Sequence, residues 1–152
     1  MHMRKEQRAF TALYGLWVLS LVALGYSLYA EFIQHMPVCT LCWYQRIGAY
    51  GLALILTTGL LSEDMKSVHY ALPFSWLVIL VSSIHLLTQW MPEWLPISLC
   101  TLHGPSCQTK HLVLWGWVTF PALSLAYGLV MAIGLHWISR ETNYAETGST
   151  TW

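Results

Sequence analysis

The chain has 152 residues, 56% of them hydrophobic and 9% charged, with nine Trp and a mean hydropathy of +0.51. That balance excludes an ordinary soluble domain and points to a bilayer, with membrane lipid as the surrounding partner. The formal net charge is zero and no RNA- or DNA-binding motif is present, so no nucleic acid partner is expected.

Met1 to Ala9 is polar and basic, with Arg4, Lys5 and Arg8; the apolar run Phe10 to Ile33 follows with Glu31 as its sole charge. It is long enough to span, and longer and bulkier than the roughly 7–15-residue core of a cleaved signal peptide. A short polar exit with Gln34, His35 and Pro37 leads to Cys39-Thr40-Leu41-Cys42-Trp43-Tyr44-Gln45-Arg46, and Trp43 to Leu61 forms a second predicted span. Ser62 to His69 is a charged turn, and Tyr70 to Trp90 a third span without a full charge, carrying His85 and Gln89. Met91 to His111 is the longest connection, with Pro92, Pro96, Pro105, Cys100 and Cys107; its start mixes Trp94 and Leu95 with Glu93 and suits the interface. Val113 to Ile138 is the fourth span, with Pro121 inside it, and residues 141–152 form a polar tail expected to be disordered.

The sequence therefore predicts an all-α membrane protein, a four-transmembrane-helix bundle over residues 1–140 with spans near 10–33, 43–61, 70–90 and 113–138. Of its seven Lys and Arg, an N-in, C-in arrangement leaves Arg4, Lys5, Arg8, Lys66 and Arg140 inside, with only Arg46 and Lys110 outside. Both cysteine-bearing loops then face an extracytoplasmic, oxidising compartment, where disulfides persist.

A Cys-x-x-Cys at the head of a helix is a redox or metal signal. With the second helix starting near Cys42, that sulfur is expected to meet free N–H groups and the positive end of the helix dipole, making it the candidate low-pKa thiol. Arg46 lies four residues on, on the same face and about 6 Å along the axis. An arginine there either snorkels to the headgroups or has a partner. The third helix ends in the leaflet where the second begins, so His85 and Gln89 are expected at a similar depth. A lone His in a span is often only hydrogen-bonded in the bundle, but a thiol, an arginine, a histidine and a glutamine converging in one leaflet suit a carbonyl-bearing ring such as a quinone. A haem held by His85 and His136 would have to bridge opposite leaflets. Cys100 and Cys107 would close a small ring, a weak staple better suited to exchange. Unequal spacings and outer placement argue against zinc on the four cysteines and His103, and no metal is expected.

Cys39 to Arg46 at the head of the second of four spans, with Cys100 and Cys107 between spans three and four, resembles the disulfide bond formation protein B (DsbB) family over nearly the whole chain. Pro121 within Trp117 to Ser124 is weaker support. The resemblance implies a bacterial inner-membrane, multi-pass thiol oxidase with redox-active disulfides Cys39–Cys42 and Cys100–Cys107. A soluble thioredoxin-like, DsbA-type partner would be reoxidised through Cys100, Cys107 would attack Cys39, and Cys42 would pass electrons to ubiquinone or menaquinone. Arg46 would hold the quinone; His85 and Gln89 join it by position along the third helix. In some members the loop between the second pair is longer and carries an interfacial helix, whereas here Pro92 to Pro96 precedes Cys100. A vitamin K epoxide reductase-like protein is an alternative, but its quinone-proximal pair comes late in the chain and this one comes early. A structural membrane protein braced by disulfides is the alternative from another class.

Overall fold

The structure, a computed structural model, describes residues 2–35, 38–91 and 119–149. Among these residues there are four helices and no strand: α1 (His2–Phe32), α2 (Thr40–Leu61), α3 (Ser67–Trp90) and α4 (Phe120–Ser149). Each packs on its neighbours in a ring, α1 on α2 and α4, and α3 on α2 and α4. Trp17 Nε1 donates to Thr57 Oγ1 at 2.8 Å, joining the middle of α1 to the second half of α2. His69 and Ser139 are hydrogen-bonded at 3.1 Å, joining the start of α3 to the second half of α4. The helices thus alternate in direction, and the start of α2 shares one end of the bundle with the ends of α1 and α3 and the start of α4.

Three helical segments are long and apolar enough to cross a membrane: Gln7–Phe32, Ser67–Trp90 and Phe120–Thr142. α2, of comparable length, is not among these segments; Gln45 and Arg46 lie in its second turn. Large apolar side chains such as Leu54, Trp76, Leu80 and Ile133 point outward and are more than half exposed. Such faces are stable against lipid rather than water. Inside, Leu13, Leu52, Leu56, Val78, Met131 and Leu135 are fully buried and form the core.

The helix boundaries depart from the sequence expectation at several ends. α1 begins at His2, because Arg4, Lys5, Glu6, Gln7 and Arg8 are all good helix formers. α4 runs on to Ser149, so the expected disordered tail from 141 is helical through most of its length. Glu141, Ala145 and Glu146 favour helix, and no glycine or proline interrupts before Gly148. Pro121 sits in the first turn of α4, where a missing N–H removes no helical bond; the stretch 113–118 and the segment with Cys100 and Cys107 lie outside the described residues.

The α2–α3 turn is made by backbone geometry rather than glycine. Ser62 N–H bonds the Thr58 carbonyl, Asp64 N–H bonds the Gly59 carbonyl, and Glu63 between them takes φ 53°. This is a Schellman stop with a non-glycine residue at its left-handed position. Asp64 Oδ1 then accepts from Lys66 N–H at 2.9 Å and starts α3.

Candidate active site

α2 begins at Thr40, two residues earlier than the sequence suggested, and this changes which sulfur receives the helix end. Cys39 is the N-cap, extended at φ −79° and ψ 164°, and its Sγ accepts the Cys42 backbone N–H at 3.3 Å. A thiol here does what Ser or Asp does at most helix starts. The expectation that Cys42 would be the sulfur favoured by the helix amides is therefore corrected: the amide of Cys42 points back at Cys39.

The two sulfurs lie 2.7 Å apart, and His85 Nε2 is 3.7 Å from the Cys39 sulfur. The hydrogen bond from the Cys42 side chain, then the His85 ring, hold the Cys39 thiol far below its usual range, at about 4, although burial opposes the shift. Ligand atoms of Cys39, Cys42 and His85 all fall within 4.8 Å of one another. Two sulfurs on one tetrahedral zinc sit about 3.8 Å apart, so sulfurs 2.7 Å apart are not spaced as a pair of zinc ligands.

Arg46 does not snorkel. It is 8% exposed, its Nε donates to Ser27 Oγ at 2.8 Å, its Nη2 donates to the Ser27 carbonyl at 2.9 Å, and its Nη1 pairs with Glu31. Its guanidinium also lies 5.5 Å from the Trp43 ring centre. The last turns of α1 thus supply an acid and a hydroxyl for the sole charge within α2, which is how a buried cation is accommodated.

These groups open onto one cavity of about 350 Å³ between the four helices, lined by Cys39, Cys42, Arg46, His85 and Gln89. Its apolar walls come from α1 and α4, with Leu19, Val22, Phe120 and Leu123, and Tyr127 of α4 also lines it. Tyr127 is hydrogen-bonded to Ser20 at 2.9 Å. Gln89 Oε1 is buried without a hydrogen-bond partner among the described residues. His136, by contrast, is exposed and does not line the cavity.

Sequence reasoning overlooked Gln45, whose Nε2 is 3.2 Å from His85 Nδ1, and the pairing role of Glu31. A signal for Glu31 was present: it is the sole acid of the first apolar run, and Arg46 is the sole cation of the second. Gln45 had no such signal, because a glutamine beside an arginine near a helix start reads as ordinary interface polarity.

The family profile described as Disulfide bond formation protein DsbB matches residues 8–138. The chain is 38% identical over 124 residues to a probable disulfide formation protein of Coxiella burnetii (strain Dugway 5J108-111), covering 82% of this chain and 84% of the relative. It is 35% identical over 121 residues to disulfide bond formation protein C of Bacillus subtilis (strain 168), covering 80% and 87%. A probable disulfide formation protein of Metapseudomonas resinovorans is 32% identical over 128 residues, covering 83% and 88%. No solved structure matches the chain.

Proposed function

The chain belongs to the disulfide bond formation protein DsbB family, and on that premise we propose that it is a thiol oxidase linking a soluble, thioredoxin-like DsbA-type partner to a membrane quinone. In this reading it crosses the bacterial inner membrane four times, with both termini inside. The observation that carries the proposal is the single cavity shared by Cys39, Cys42, Arg46 and Gln89.

The residues fit a ubiquinone or menaquinone ring. A largely apolar cavity of about 350 Å³ with a few convergent polar groups is the usual form of a small-molecule site. Gln89 has an unused oxygen there. Its amide can donate to a ring carbonyl or, turned over, accept from a ring hydroxyl, so one residue serves both redox forms. When bound, the quinone supplies an acceptor for two electrons and two protons.

The chain's own groups do the rest. Arg46, pinned by Glu31 and Ser27, presents a fixed positive charge to a ring oxygen. A thiolate of the partner attacks Cys100, forming a mixed disulfide and releasing Cys107 as thiolate. Cys107 attacks Cys39, the Cys39–Cys42 bond breaks, and Cys42 is released as thiolate toward the cavity. The roles of Cys100 and Cys107, which lie outside the described residues, rest on the family layout.

The test mixes purified protein, a reduced thioredoxin-like partner and a quinone, and follows quinol formation. Cys42→Ser is expected to abolish it. Arg46→Ala is expected to raise KM for quinone about 10- to 100-fold, the range for losing a charged hydrogen bond. Full activity in Cys42→Ser, or no quinone-dependent oxidation of the partner, overturns the proposal.

A further inference from the structure

Tyr127 of α4 lines the cavity, and the electron path above gives it no task. The thiols, Arg46, His85 and Gln89 gather where α2 begins and α3 ends, whereas Tyr127 lies about two turns into α4. Around it the cavity wall is apolar, with Leu19 and Ala23 of α1 and Ala49 of α2. α1 gives the separation between the two polar ends. Arg46 is held at Ser27 through its Nε and Nη2, and the Tyr127 hydroxyl meets the fully buried Ser20 hydroxyl at 2.9 Å. Ser20 and Ser27 are two turns apart on one face of α1, which sets the two groups about 10 Å apart along the axis. The oxygens of a para-quinone ring are about 5 Å apart by ordinary bond lengths, and a hydrogen bond of about 2.8 Å at each end extends that reach to about 11 Å. The two lengths agree. An ortho-quinone carries both oxygens on one edge and cannot reach both ends.

We propose that Tyr127 binds the second oxygen of the ring and selects para-quinones: one oxygen sits at Arg46 and Gln89, the other at Tyr127, with the ring lengthwise along α1. This deepens the proposed function and rests on it. The bond to Ser20 leaves Tyr127 capacity for the ring whichever hydroxyl donates, because a hydroxyl both donates and accepts. Where Ser20 donates, the Tyr127 proton is free for a ring carbonyl. Where Tyr127 donates, the Ser20 proton turns to the Leu16 carbonyl at 3.0 Å, and the Tyr127 oxygen accepts from a quinol hydroxyl. The pair thus serves both redox forms at its end of the cavity, as Gln89 does at the other.

The test measures binding rather than turnover. Oxidised, detergent-solubilised protein free of titratable thiol is mixed with para-naphthoquinone or with its ortho isomer, and binding is followed by quenching of tryptophan fluorescence. Tyr127→Phe keeps the aromatic ring and its packing and removes the hydroxyl. It is expected to weaken binding of the para isomer about 3- to 10-fold, the range for one hydrogen bond, and to leave the ortho isomer within about twofold. Arg46→Ala is expected to weaken both. In infrared spectra of the bound para isomer, each carbonyl stretch is lowered by its own hydrogen bond. Tyr127→Phe is expected to return one band to its free position and Arg46→Ala the other. A Tyr127 that only ties α4 to α1 gives equal loss for both isomers. That result, unchanged affinity for the para isomer in Tyr127→Phe, or one band moved by both variants overturns this inference and leaves the proposed function standing. An unaltered protein that binds neither isomer overturns both.

Discussion

Two sulfurs three residues apart in sequence have unlike surroundings, and the difference is measurable by pH. With Cys39 held at about 4, its thiolate persists well below neutrality. Alkylation of Cys39 in the reduced protein is therefore expected to stay nearly level from roughly pH 8 to 5, whereas an ordinary thiol loses about tenfold per unit over that range. The rate falls only as the pH passes down through about 4; a tenfold loss per unit already at pH 7 shows an unperturbed thiol. Arg46 supports a second prediction. Glu31→Gln leaves its charge buried with only Ser27 for company, and the melting temperature in detergent is expected to fall, corresponding to about 3 kcal/mol. Glu31→Gln combined with Arg46→Leu is expected to recover part of that loss, because removing both charges removes the desolvation problem; a double variant less stable than Glu31→Gln shows that the pair is not the source. At this scale the cysteines, Arg46 and Gln89 stand out in the sequence by chemical type. The direction of the Cys42 N–H does not, because it depends on a helix start displaced by two residues.

The cysteine couple and His85 are on different helices, so their distance depends on how closely α2 and α3 approach. Gly48 sets that approach: a Cβ there would sit 2.6 Å from Val78 Cγ2. Gly48→Ala is therefore expected to destabilise by about 1–3 kcal/mol through overpacking. Gly48→Ala with Val78→Ala is expected to be milder than the sum of the two single changes, since the second removes the methyl that the first strikes. Thermal melts of the four proteins decide this, and strict additivity refutes the contact. The helices themselves are legible as long apolar runs, but the place of Pro121 in the first turn of α4 is not, since the apolar run extends on both sides of it. The apolar pattern also stopped short at the polar ends. Residues 2–9 and 141–149 are helical because of their intrinsic preference, which hydropathy does not register. The reverse error threatens α2, where Gln45 and Arg46 lower the mean hydropathy of a helix that is nevertheless part of the bundle.

For the whole molecule, the pairing of Arg46 bears on orientation. Retention of basic residues inside counts charges flanking the spans, and Arg46 is bound to Glu31 within the bundle rather than lying free at its surface. Setting it aside leaves, in the proposed N-in arrangement, Lys110 as the sole basic residue expected outside, against Arg4, Lys5, Arg8, Lys66 and Arg140 expected inside. The alternating helices carry that bias to every end: Lys66 lies in the turn between α2 and α3, and Arg140 falls in the last part of α4, both at the end of the bundle opposite Cys39. A single cysteine introduced at Lys66 or Arg140 in an otherwise cysteine-free chain is accordingly expected to resist a membrane-impermeant thiol reagent in intact cells and to react after the membrane is opened. A cysteine at Gln34, next to the α1 terminus on the opposite side, is expected to react in both conditions. Labelling of the Lys66 position in intact cells would invert the orientation, place the cysteine couple in a reducing compartment and remove the proposed exchange with an extracytoplasmic partner.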